Sequence, residues 1–278
     1  MFQEHPKVQP IFTKVQKSHS KVQYSNFQSV NLTLRNDTLE LLTHLNFYPY
    51  PRSTPMTTTY IHHSCFLIET TTCYYLFDYE KGLLPALDVT KPIFVLSSHA
   101  HHDHYNAEIF TMLRQRGMHR IYAVLSSDIS APAGVDVMQV SPNREYQLCL
   151  GQKLTTFRST DVGVAFLIED KGEIFYHAGD LNDWVWEGES DFYNEQMTAD
   201  YREQINLLAK HLSGRTIDAA FVVLDPRQEK NYDRGLCFFL EHVSAAKVYP
   251  MHYWGKPEVI DTFIKEHPEY QAYIGKTE

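Results

Sequence analysis

The sequence predicts an α+β fold in which two β-sheets lie face to face between helices. Three observations predict it. From residue 57 on, short runs of β-branched and aromatic residues succeed one another, with turn residues between them. Beyond about residue 190 the pattern becomes helical periodicity alternating with single apolar runs. The chain of 278 residues is 43% hydrophobic and 21% charged, enough apolar material for a large core and too little charge for global disorder. Strand-rich segments followed by alternating ones fit two sheet layers covered by helices.

Each element has its own reason. Residues 57–61, 65–69 and 74–77 read as consecutive strands, TTTYI, CFLIE and YYLF. Residues 92–97, PIFVLS, form a continuous apolar run bounded by polar residues, as a buried strand requires. A helix over 106–115 closes at Gly117. Strands follow at 119–125 and 135–140, then hairpin-connected strands at 146–148, 153–157, 164–169 and 174–177, with Lys171-Gly172 as a tight turn. Met197, Tyr201, Ile205, Leu208 and Leu212 recur at steps of three and four and predict a helix over 194–213. A buried strand at 219–224, a helix at 234–242, a strand at 247–250, a helix at 257–266 opened by proline, and a last strand at 270–274 complete the order.

Residues 1–55 differ from the rest. They contain no glycine, are rich in Gln, Ser, Lys and Asn, and leave through a proline-rich exit. Leu39, Leu42 and Leu45 give a short helical periodicity; otherwise the segment reads as an extension to a domain at 56–278, partly disordered or with Met56 as the natural start. The net charge of −9 argues against a dedicated nucleic-acid binder, which needs a basic face. No run of about 18 apolar residues is present to cross a membrane, and the first residues lack the apolar stretch of a secretory signal. Cys65, Cys73, Cys149 and Cys237 have no metal-type pair spacing, although Cys65 and Cys73 flank an expected hairpin. A cytoplasmic chain with reduced thiols is the expectation.

The chemistry concentrates at one place. Of 15 histidines, four fall between positions 99 and 104, in Ser97-Ser98-His99-Ala100-His101-His102-Asp103-His104-Tyr105. At the chain's own residue frequencies, HxHxDH arises by chance with a probability on the order of 0.003. The segment follows directly on the buried strand 92–97, a rigid platform for a loop that aims side chains at one point. His99 and His101 are two apart and project to the same side of extended backbone. Asp103 and His104 sit at the start of the next helix. Four nitrogen and oxygen ligands in six residues crowd a single tetrahedral ion and suit two ions a few Å apart.

Here the sequence resembles the metallo-β-lactamase-fold hydrolases, over roughly residues 56–278. Beside HxHxDH, the run from Tyr60 to Glu69 is similar to the first hairpin of the lactonase-like and phospholipase-like branches. Leu76-Phe77-Asp78 resembles the strand-end aspartate of that fold, Phe175-Tyr176-His177-Ala178-Gly179-Asp180 its bridging-carboxylate element, and Val248-Tyr249-Pro250-Met251-His252 its late strand ending in a ligand histidine. The resemblance implies an αββα sandwich of two mixed sheets with two divalent ions at one edge, zinc or else Mn²⁺ or Fe²⁺. It places His99 and His101 on the first ion, Asp103, His104 and His252 on the second, and Asp180 between them. It implies a metal-activated hydroxide that attacks an ester, lactone, amide or phosphodiester bond of a small molecule, with Asp103 or Asp180 handling the proton.

One departure matters. Many relatives supply a further histidine to the first ion, where this chain has Phe157-Arg158-Ser159-Thr160-Asp161 and no histidine. Asp161 is the candidate replacement, and a carboxylate-rich first site favours Mn²⁺ or Fe²⁺ over Zn²⁺. Asp78 and His177 are expected to support ligands rather than bind metal. Alternation sends His62 and His63 to opposite faces, one toward the site; His102 points away, and His119 lies at the wrong edge. Arg158 and Arg227 are candidates to hold an anionic group of the substrate, and Trp184 and Trp186 to wall its pocket. The alternatives are a non-catalytic metal-binding protein derived from a hydrolase and a di-iron redox protein on the same fold.

Overall fold

The computed structural model describes residues 56–275. The leucine periodicity at 39–45 and the extension at 1–55 lie outside the described residues. The described elements form two six-stranded mixed sheets. The first runs in the order β1 (Thr57–His62), β2 (Cys65–Glu69), β3 (Tyr74–Phe77), β4 (Ile93–Ser97), β5 (Ile121–Ser126) and β6 (Val137–Val140). The first three strands are antiparallel to one another and β3 to β6 are parallel. The second sheet contains β7 (Glu145–Gln147), β8 (Lys153–Arg158), β9 (Val164–Asp170), β10 (Glu173–His177), β11 (Ala219–Val223) and β12 (Val248–Met251), ordered from β12 back to β7. There β7 to β10 are antiparallel and β10 to β12 parallel.

Strand alternation builds the layers. In β2 and β3, Phe66, Ile68, Tyr75 and Phe77 join the core between the sheets, against Phe166, Phe175 and Phe221. Their neighbours Leu67, Tyr74 and Leu76 join a separate core with Ile109, Phe110 and Leu113 of α1 (Glu108–Gln115). Both faces of these strands are covered, which is why they read as unbroken apolar runs. Burying each large ring contributes roughly 1.5–3 kcal/mol. On the far side, α2 (Asp191–Leu212), α3 (Arg234–His242) and α4 (Glu258–Glu266) cover the second sheet through Tyr201, Ile205, Leu208, Phe239 and Phe263. The four layers are those expected. Cys65 and Cys73 face different layers, and all four cysteines are free.

Three boundaries differ instructively. Helix α2 starts at Asp191 rather than at 194, because the Ser190 hydroxyl accepts a hydrogen bond from the backbone N–H of Tyr193 and adds a turn. Residues 270–274 do not make a strand. A 3₁₀ turn at Pro268–Tyr270 leads to one parallel bridge between Ile274 and Val248, because proline fixes the turn at its start. Strand β6 begins at Val137, two residues later than expected. The parallel strands β3, β4, β10, β11 and β12 all end at one edge of the sandwich, and the site is built there.

Candidate metal centre

Six side chains of the site sit within three residues of a strand end, Asp78 after β3, His99 after β4, Asp161 after β8, Asp180 after β10, Asp225 after β11 and His252 after β12, and His101, Asp103 and His104 follow His99 in the loop before α1. The turn between β1 and β2 adds His63. The backbone is bent to bring them together. His63, Asp78 and His252 are left-handed, with φ of 51°, 45° and 64°. Such conformations cost non-glycine residues on the order of 1–3 kcal/mol and persist where surrounding contacts hold them. Two glycines allow the loops to close on Ser98. A Cβ on Gly163 would lie 2.0 Å from the Ser98 carbonyl oxygen, and one on Gly179 would lie 2.7 Å from the Ser98 Cβ. Side chains at these positions would push Asp161 and Asp180 away from His99.

The candidates fall into two adjoining groups, within each of which the ligand atoms lie within 4.8 Å of one another. The first comprises His99, His101, Asp161 and Asp180. His99 Nε2 is 2.9 Å from His101 Nδ1 and 3.5 Å from Asp180 Oδ2, and His101 Nδ1 is 3.5 Å from Asp161 Oδ2. The second comprises His63, Asp103, His104 and His252. Asp103 Oδ2 is 3.3 Å from His63 Nε2, 3.7 Å from His104 Nε2 and 4.0 Å from His252 Nε2. Asp180 joins the groups: its other oxygen, Oδ1, is 3.1 Å from His104 Nε2 and 3.4 Å from His252 Nε2.

A hydrogen-bonded outer layer fixes which nitrogen faces inward. His104 donates from Nδ1 to Asp78 Oδ2 (2.8 Å), and His252 from Nδ1 to Asp225 Oδ2 (3.0 Å). His99 Nδ1 donates to Ser98 Oγ (2.9 Å), whose hydroxyl donates to Asp78 Oδ2 (2.7 Å). Tautomers assigned from this network present the Nε2 lone pairs of His99, His104 and His252 to the centre. Asp78 is fully buried and also accepts from the Ser98 backbone N–H.

The electrostatics call for a cation. Burial opposes the charge on Asp180, yet His104, His252 and His99 hold its pKa far below the carboxylate range. Burial likewise opposes Asp103, and the nearby imidazoles of His63 and His104 outweigh it. For Asp225 burial is again overcome, by His252 and Arg227, and its pKa falls to about 2. Burial lowers His63 and His99, whereas at His104 the pull of Asp180 and Asp78 exceeds burial and raises the pKa well above the usual value. Carboxylates thus favour positive charge at a point enclosed by imidazoles. At that point His63 Nε2, His104 Nε2 and Asp180 Oδ1 are buried with no partner in hydrogen-bonding geometry, although the last two are 3.1 Å apart. Unsatisfied buried polar atoms of this kind cost about 1–3 kcal/mol each unless something coordinates them. The donor set, imidazole nitrogens and carboxylate oxygens, fits divalent ions.

All seven ligand candidates named from the sequence, His99, His101, Asp103, His104, Asp161, Asp180 and His252, come together here. Of the neighbouring pair, His63 turns inward, while His62 turns outward to pair with Glu80. Asp225 was not singled out; its position just after the buried strand β11 was the available signal. His177 bonds the Ser64 carbonyl and stacks on Phe77, outside the candidate groups. The His102 side chain is 89% exposed, and His119 is also exposed. Arg158 is not among the residues lining the cavity over the centre and pairs with Asp200 and Glu203 of α2, because the end of β8 faces that helix. Arg227 does line the cavity over the centre, but its guanidinium is bonded to Asp225. The cavity has a volume of about 280 Å³, and Trp184 and Trp186 also line it.

Residues 57–192 match the family described as Beta-lactamase superfamily domain. Among solved structures, Igni18, a novel metallo hydrolase from the archaeon Ignicoccus hospitalis, is similar with a TM-score of 0.55 and 16% identity, over 80% of this chain and 94% of its own. CmlA, a diiron β-hydroxylase from Streptomyces venezuelae, is similar with a TM-score of 0.50 and 13% identity, over 80% of this chain and 53% of its own. No curated protein matches the chain. Identities this low speak for the fold alone. Fold and matched domain define the class: the chain has the metallo-β-lactamase fold, and its residues 57–192 match the beta-lactamase superfamily domain. Within that class it carries a candidate buried His/Asp metal centre at the sheet edge.

Proposed function

We propose that the protein is a metal-dependent hydrolase that binds two divalent cations and cleaves an ester, lactone or phosphodiester bond of a small molecule. The observation that carries the reading is the convergence of three buried, partnerless ligand atoms on His63, His104 and Asp180, beside a cavity that Asp103, Asp180 and His252 also line. His99, His101, Asp161 and Asp180 would hold one cation; His63, Asp103, His104, His252 and Asp180 the other. Bound there, divalent cations supply Lewis acidity that lowers the pKa of water and polarises the bond under attack.

The residues of the chain do the rest. Asp103 lines the cavity and is less buried than Asp180, so it is the better placed carboxylate to accept the proton of the attacking water and return it to the leaving group. Asp78 and Asp225 keep His104 and His252 in the tautomer that points Nε2 inward. The enclosed floor keeps bulk water from screening these charges. The two-histidine, two-carboxylate set of the first group also suits iron or manganese, which supports a second reading as a di-iron oxidation centre.

Elemental analysis of the purified protein should give about two divalent ions per chain. Turnover of a generic ester, lactone and phosphodiester panel should vanish with chelation and return on adding Zn²⁺ or Mn²⁺. Iron as the bound metal, with oxygen consumption and no hydrolysis, would replace this reading with the oxidation centre.

A further inference from the structure

We infer that the substrate carries a flat aromatic group next to the bond that is cleaved. This rests on the hydrolase reading and narrows its substrate class. The walls of the cavity carry it. Trp184 and Trp186 lie with indole planes 3° from parallel and centroids 6.0 Å apart. Trp254 belongs to the same cavity, and the His252 ring stands edge-on to both Trp184 (5.6 Å) and Trp254 (5.5 Å). Aromatic surface therefore brackets a candidate metal ligand. Tyr193 and Met197 of α2 extend the apolar lining toward solvent.

The wall is built in advance. The Asn194 side chain accepts from the Trp186 N–H (3.0 Å) and donates to the Trp186 carbonyl (2.8 Å). The Trp184 indole N–H donates to the Asp180 carbonyl (2.9 Å). Gln228 donates to the Asp183 carbonyl and accepts from Asn182, so the loop from Asp180 to α2 is held at both ends. The Trp184 indole and the loop backbone, fixed this way, lose little freedom when a ring packs on them. Trp254 is 40% exposed and Tyr193 39% exposed, so part of this aromatic lining is open to a ligand.

The test compares two matched pairs, methyl phenylacetate against methyl cyclohexylacetate with the leaving group constant, and benzyl acetate against cyclohexylmethyl acetate with the acyl group constant, each rate divided by that of hydroxide-catalysed hydrolysis of the same ester. One aromatic member should exceed its saturated partner about ten-fold in kcat/KM, the scale of an aromatic contact in a desolvated site. Trp186→Ala should erase the preference, Trp186→Phe should restore most of it, and Trp254→Ala should weaken it. Binding is read separately: saturation-transfer NMR should detect benzamide on wild-type protein and lose it in Trp186→Ala, with cyclohexanecarboxamide weaker throughout. Equal rates within both pairs, or a preference unchanged in both alanine variants, would overturn the inference while leaving the hydrolase reading intact. Benzamide binding at the tryptophans with no turnover of any ester would sink the hydrolase reading instead and retain the aromatic subsite.

Discussion

The two halves of the candidate centre are built differently. Around His63, His104 and His252 the side chains are 4%, 0% and 2% exposed, and two of the three imidazoles lean on buried carboxylates, Asp78 and Asp225. Around His101 and Asp161 the side chains are 51% and 42% exposed, and His101 has no carboxylate holding its outer nitrogen among the interactions of the described residues. Buried ligands with fixed tautomers lose little entropy on binding a cation, and water competes poorly for it. Exposed ligands give the reverse. The buried half should therefore hold its ion tightly and set the frame, while the open half exchanges its ion and faces the cavity.

The largest effect is expected where the halves meet. Asp180→Ala removes a carboxylate whose two oxygens serve both groups. Turnover should fall on the order of a thousand-fold or more, the scale set by loss of a central electrostatic group, with the circular dichroism spectrum unchanged. A milder loss would mean that the halves work independently. The next contrast separates them. His63→Ala should lower the tight metal equivalent, and Asp161→Ala the loose one, in a chelator competition followed by elemental analysis. If Asp161→Ala strips the tight ion first, the assignment of strength to burial is wrong. Smaller again is Asp225→Asn, which keeps the shape but weakens the charge behind His252. Metal affinity of the buried half should drop about 10–100-fold, while the open half stays as it was. An equal drop in both would show that Asp225 acts through the fold rather than through His252.

Much of this was legible because the chemistry is local. Residues 97–105 hold four ligand candidates in one stretch, announced by the apolar run PIFVLS, and each remaining candidate also follows a strand, as His252 follows VYPM. Asp161 was readable too as a candidate, and it lies beside His101. What was not legible depends on backbone angles. Alternation alone could not choose between His62 and His63; the left-handed turn at His63 (φ 51°) aims that ring inward. Asp225 follows a strand like the others, but nothing local says that it lies under His252 from a different strand. Arg158 looked free to meet substrate because its partners, Asp200 and Glu203, are more than 40 residues away in sequence. Long-range pairing of this kind leaves no pattern in a single sequence.

The smallest prediction tests whether electrostatics away from the centre matters to the fold. Glu169 in β9 pairs with Arg215 and His211, far from the metal edge, and the Arg215 hydrogen bond lowers its pKa from 4.5 despite opposing burial. A depressed folded pKa means that the native state holds the carboxylate ionised more readily than the unfolded chain does. The stabilisation is therefore fully present above about pH 4.5 and is lost as the pH falls through the lower folded value. The pair is partly solvent-screened, so its size should stay below about 1 kcal/mol. Denaturant unfolding of wild type and Glu169→Gln, both with chelator present, should show wild type more stable at pH 7 and the gap closing near pH 3. A gap that persists or widens in acid would mean that Glu169 contributes through packing, and that carboxylate charge counts in this protein only where cations are gathered.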